Sequence, residues 1–161
     1  MLDPTIIERI RSIFLHRGPH VTATEAARLL DLSDRTMKEM IDQGELETVG
    51  TCGGAVIAVQ ELAEQALQLW SMTTIEEALG KDASLVLPAG VRTRAFAVRL
   101  PRYVIAAVEH IAQQNGETAE MLLTRELRGW VFDHKDCLTE TVPGFAEAID
   151  WPAGGDSTQV S

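Results

Sequence analysis

The chain has 161 residues, 45% of them hydrophobic and 24% charged, the profile of a folded protein with room for one ordinary domain or two small ones. Its formal net charge of −10 sets it against polyanions as a whole, and its two cysteines, Cys52 and Cys137, form neither a CxxC pair nor a disulfide framework. No apolar run approaches the ~20 residues of a membrane span, and MLDPTIIERIRSIF has no signal-peptide pattern, so a cytoplasmic protein with no membrane partner is expected.

Residues 1–20 are expected to form an N-terminal helix, with Ile6, Ile7, Ile10 and Phe14 at helical spacing and a break at Gly18-Pro19. Residues 21–72 form a compact pattern. Thr22 or Thr24 caps a helix bearing Ala26, Ala27, Leu29 and Leu30. Ser33 caps a second, with Met37, Met40 and Ile41 on its apolar face and Gly44 as its stop. Two extended runs, 46–51 and 55–59, flank the turn at Cys52-Gly53-Gly54, and a helix with Leu62, Leu67 and Leu69 follows. Residues 73–93 read as a short helix and a linker.

Residues 94–100 alternate as a strand does, with Phe96, Val98 and Leu100 on one side and Ala95, Ala97 and Arg99 on the other. Pro101 suits the first turn of a helix carrying Val104, Val108, Ile111 and Ala112, which Asn115-Gly116 ends. Thr118 caps a further helix running to about Val131. Residues 133–161, with Pro143, Gly144, Pro152, Gly154 and Gly155, read as an acidic, loosely ordered tail. The stretch RTRAFAVRLPR holds Arg92, Arg94, Arg99 and Arg102 and no acid, so the local charge is opposite to the net charge.

On these residues, AFAVRLPRYVIAAVEHIAQQNGETAEMLLTRELRGWV within 94–132 resembles the ribbon-helix-helix family of Arc-like repressors. The resemblance implies a homodimer, because one strand with two helices cannot bury its own apolar face and pairs with its copy in an antiparallel β-ribbon. It implies that the ribbon enters the major groove of double-stranded DNA. Arg99 is then the base reader, Ala95 and Ala97 make apolar contacts, and Arg94, Arg102 and the helix end at Thr118 hold phosphate. The two alanines depart from the longer polar residues usual in the family, and Glu117 and Glu120 flank the implied phosphate site.

Residues 22–70, with EAARLL, the short turn before Ser33, DRTMKEMIDQGEL and the hairpin, resemble the excisionase-type winged helix-turn-helix. Arg35, Thr36 and Lys38 occupy its recognition-helix positions. The hairpin carries Gly50, Gly54 and Val56 where the family usually carries arginines, which weakens the phosphate contacts implied.

The fold expected is therefore α+β and mostly helical: a winged helix-turn-helix in front and a dimerising ribbon-helix-helix behind. No GxSxG, HExxH, P-loop or GxGxxG occurs, so no enzyme and no cofactor are expected. His16/His20 and His134/Cys137 are incomplete as metal sets, so no metal is expected either. The function expected is DNA-binding transcriptional regulation, autoregulatory or antitoxin-like, with a protein partner on the tail around Ala146, Ile149 and Trp151 as a further reading. The alternative is a protein–protein adaptor that keeps both folds as scaffold.

Overall fold

The computed structural model describes residues 2–51 and 54–152 and is α+β and mostly helical, with one small antiparallel sheet. The described residues divide into two compact units, the first made of those up to 93 together with 147–152 and the second of residues 94–146.

In the first unit, α1 (Pro4–Phe14) starts where Pro4 occupies the first turn and the Asp3 carboxylate accepts the Thr5 N–H at 2.7 Å. α2 (Ala23–Leu30) is capped by Thr22, whose Oγ1 accepts the Glu25 N–H at 3.2 Å, and α3 (Asp34–Asp42) by Ser33, which accepts from Thr36 at 3.1 Å. The turn between α2 and α3 needs a residue at positive φ. Asp31 takes it at φ 59°, a region that short polar side chains tolerate, and its carboxylate accepts from Arg9 at 2.8 Å. Gly44, at φ 75°, follows α3.

Three strands follow the order β1-β3-β2: β1 (His20–Thr22), β2 (Thr48–Thr51) and β3 (Gly54–Ala58). β2 and β3 form the hairpin expected from the sequence, with Val49 opposite Val56; the Cys52-Gly53 turn lies outside the described residues. β1, with Val21 opposite Ile57, was not expected: the segment reads as a break followed by a helix cap.

α4 (Val59–Leu69) and α5 (Met72–Leu79) complete the scaffold. α1 serves two cores. Ile13 packs with Leu29, Met37, Leu46, Ile57 and Leu62, while Ile10 packs with Ile75, Leu79, Ala83 and Leu87. At about 25 cal/mol per Å² of apolar area removed from water, these two clusters are what holds the unit together. Arg11 closes the lower end of α5 by donating to the carbonyls of Ala78 (3.4 Å) and Leu79 (3.0 Å) and to the Asp82 carboxylate (2.6 Å). Residues 80–86, expected as linker, are instead a 3-10 turn (Gly80–Asp82) and a short helix α6 (Ala83–Val86). Burial of Ala83 and Leu87 explains why they are ordered.

The second unit has α7 (Arg102–Asn115), α8 (Ala119–Asp133) and α9 (Lys135–Thr141). Gly116, at φ 71°, ends α7, and Thr118 caps α8 by accepting the Met121 N–H at 3.2 Å. Pro101 sits one residue earlier than expected, as the N-cap of α7. Where a loose tail is expected, α9 and α10 (Phe145–Asp150) are helical. Beyond α10, Trp151 belongs to the first unit and stacks on Phe14, with ring centroids 6.0 Å apart.

Candidate nucleic-acid interface

Residues 94–100, expected as a strand, have no regular secondary structure and lie in no sheet of the chain: a strand needs a ladder partner, and the single chain offers this segment none. Arg94, Ala95, Ala97 and Arg99 are exposed. The opposite side is exposed too, with Phe96 85% and Val98 63% accessible. Apolar side chains on an unpaired segment leave both their surface and the backbone polar groups open to a partner.

The helices behind this segment leave the same deficit. In the whole second unit only Ala112 and Leu122 are buried. Tyr103, Ile111, Met121, Leu127, Trp130 and Phe132 are all exposed. A folded unit of this size ordinarily buries most of its large apolar side chains, and below roughly 60 residues a lone core is marginal even when complete. By itself, this unit has the elements of a fold without its interior.

Charge is polarised along this part of the sequence. From Ala83 to Gly116 the only acid is Glu109, against Arg92, Arg94, Arg99 and Arg102. From Glu117 to Glu140 the balance reverses, with Glu117, Glu120, Glu126, Asp133, Asp136 and Glu140 against Arg125, Arg128 and Lys135. Arg102 is exposed at the start of α7, and Thr118 is exposed at the start of α8.

The Glu117 charge next to Thr118 does not stand open. Its carboxylate accepts from the Asn115 amide at 3.1 Å, and both its oxygens accept from Arg125 at 2.8 Å. These two donors, the amide first, hold the carboxyl below the ordinary glutamate range. A lowered carboxyl pKa stabilises the α7–α8 corner at neutral pH, and that contribution disappears as pH falls through the depressed value. Arg125→Ala should therefore move the Glu117 pKa upward towards the ordinary value, with Asn115 retaining part of the shift. A carbon-detected NMR titration of the side chain reads this directly; an unmoved midpoint would show that Arg125 does not reach Glu117 in solution.

In the first unit, Arg35, Thr36 and Lys38 are exposed on α3 while Met37 between them is buried, so the helix turns the three outwards as a set. Two of them are engaged. Arg35 Nε donates to Glu39 Oε1 at 3.0 Å, and the Thr36 hydroxyl lies 2.8 Å from Ser33 Oγ within the cap. Lys38 borders a shallow cleft of about 220 Å³ shared with Ala23, Thr24, Asp34, Met37 and Ile41. Val49 on the hairpin is exposed, and Gly50 beside it adds no charge.

Other candidate chemistry is placed elsewhere. Among the described residues no group of three or more His, Cys, Asp or Glu is arranged to hold a metal ion. The His134 ring lies 4.7 Å from that of Trp130, with Nδ1 2.8 Å from the Trp130 carbonyl oxygen. Among the described residues no helix is long and apolar enough to cross a membrane. No protein-family model, curated protein or solved structure matches the chain.

One pair had no signal in the sequence. Glu76 on α5 accepts both the backbone N–H of Thr93, at 2.8 Å, and the Thr93 hydroxyl. Seventeen positions separate the two along the chain, with a helix end, a 3-10 turn and α6 between them.

Proposed function

We propose that the chain is a dimeric DNA-binding regulator whose residues 94–100 pair with the same residues of a second copy. The observation that carries this reading is the exposed, unpaired segment 94–100, whose alternation sets Arg99 opposite Phe96 and Val98, in a unit that buries only Ala112 and Leu122. Antiparallel pairing of two copies would satisfy both strand edges and cover Phe96 and Val98 in one shared core. The same pairing would place two copies of Ala95, Ala97 and Arg99 on the outer face of a two-stranded ribbon, which fits the major groove. The ribbon-helix-helix resemblance of 94–132 supports the same arrangement.

In this reading Arg99 contacts a base edge, Arg94 and Arg102 contact phosphate, and the α8 end at Thr118 holds a further phosphate. The Arg125 and Asn115 contacts to Glu117 support that last role by offsetting one of the two charges that oppose it. Arg35, Thr36 and Lys38 add a second contact from the first unit, in keeping with its excisionase-like order of elements. Two linked contacts reinforce each other through effective concentration.

The test is a fluorescence-anisotropy titration of the chain with duplex DNA from upstream of its own gene and with a scrambled duplex, at several salt concentrations. Preference for the native duplex is expected. If Arg94 and Arg102 of both copies meet phosphate, the log–log salt dependence should have a slope of about −4. Absence of binding at low salt would overturn the reading.

A second reading, a protein–protein adaptor on a DNA-binding scaffold, is favoured by the exposed, uncharged hairpin at Val49-Gly50 and by the Arg35–Glu39 ion pair. It requires that Arg99 be silent.

A further inference from the structure

We propose that the Glu76–Thr93 pair is a clasp that fixes where the arginine-bearing segment leaves the first unit, so that the contacts of both units reach DNA as one. The inference rests on the DNA reading above and adds a positioning role that neither resemblance supplies.

The path into the clasp is ordered step by step. Leu87 is buried in the core formed with Ile10, Ile75 and Leu79. The chain then turns, with Val91 N–H donating to the Pro88 carbonyl at 3.0 Å. Two residues later Thr93 presents its amide and its hydroxyl to the two oxygens of one carboxylate, Oε1 and Oε2 of Glu76. A carboxylate accepting two donors from one residue fixes that residue in position and in orientation. Glu76 itself is held on α5, whose Ile75, Ala78 and Leu79 are buried. Thr93 is the last residue before the second unit, and Arg94, Ala95, Ala97 and Arg99 follow directly.

The position of the clasp gives it a consequence that an ordinary surface hydrogen bond lacks. Without it, the ordered chain would end near the turn at residues 88–91, and the residues up to 94 would become a tether. A longer, looser tether lowers the effective concentration of the second contact once the first is made. The clasp would thus shorten the tether between the first unit, with Arg35 and Lys38, and the segment that carries Arg99.

The experiment uses the full chain as wild type and as Thr93→Val, Thr93→Ser and Glu76→Ala, with two readouts. The first is limited trypsin cleavage after Arg92, which requires the backbone there to open. Thr93→Val and Glu76→Ala should be cut several-fold faster, in the order Val then Ala, and Thr93→Ser, which keeps both donors, should match wild type. The second is affinity for the native duplex, expected to fall about tenfold in Glu76→Ala at unchanged dimer mass. That sign is discriminating, because removing a negative charge would by simple electrostatics raise affinity for DNA. Wild-type cleavage rates in both variants would overturn the clasp. Faster cleavage with undiminished affinity would overturn its positioning role. A wild-type chain that binds no duplex would overturn the DNA reading through its own control, while the cleavage rates would still decide whether the clasp holds the junction.

Discussion

If residues 94–100 pair as proposed, Phe96→Ala is expected to convert the dimer into a monomer at micromolar concentration. Phe96 is 85% exposed in the single chain, so its removal takes almost nothing from an isolated protomer. Any loss must come from a partner that covers it. Burying a phenylalanine is worth roughly 1.5–3 kcal/mol, and a two-fold pairing buries two, so the dimer should weaken by about two to four decades. Sedimentation equilibrium across nanomolar to micromolar concentrations measures this, and circular dichroism should report loss of α7 and α8 together with the dimer. Ala97→Ser, on the opposite side of the same segment, should leave the mass unchanged. If wild type is monomeric, or if Phe96→Ala sediments as wild type does, the pairing of residues 94–100 is wrong and the DNA model falls with it.

Arg99→Ala should leave the dimer intact and remove most of its sequence preference. A bidentate arginine–guanine contact is worth about 1–3 kcal/mol, and a symmetric dimer loses two of them. The expected effect is therefore a fall of between roughly thirtyfold and twenty-thousandfold on the native duplex, with a much smaller change on the scrambled one. Arg94→Ala and Arg102→Ala should instead weaken both duplexes alike and flatten the salt dependence, as phosphate contacts do. The adaptor reading predicts the opposite for Arg99, no change on either duplex. Parallel titrations at one fixed salt concentration separate the two readings.

Much of the helical architecture was legible because helix ends are local chemistry. Ser33, Thr22 and Thr118 act as caps within three residues of themselves, and Gly116 and Gly44 occupy positive-φ positions that their neighbours could announce. The hairpin was legible for the same reason. β1 was not, because three residues show no alternation and its partner β3 lies far along the chain. α6, α9 and α10 are each too short for a helical period to stand out, and α6 owes its order to the burial of Ala83 and Leu87 rather than to propensity. Of the candidate site, the alternation of 94–100 led to a strand that the single chain does not form. A strand needs a hydrogen-bonded ladder as well as alternation, and alternation in the sequence carries no information about the ladder. Glu76 carries no mark of its role: only the fold brings it to Thr93.

The stacking of Trp151 on Phe14 has a consequence for biosynthesis. Phe14 leaves the ribosome early and Trp151 late, with all of residues 94–146 made in between. Contacts between distant positions form slowly, because the intervening chain must first be brought together. The two cores built on α1 can assemble while translation continues, but the wall that Trp151 adds beside Phe14 must wait. In that interval the second unit has already emerged with Phe96 and Trp130 uncovered, the kind of transient surface that invites pairing with a neighbouring nascent chain or capture by a chaperone.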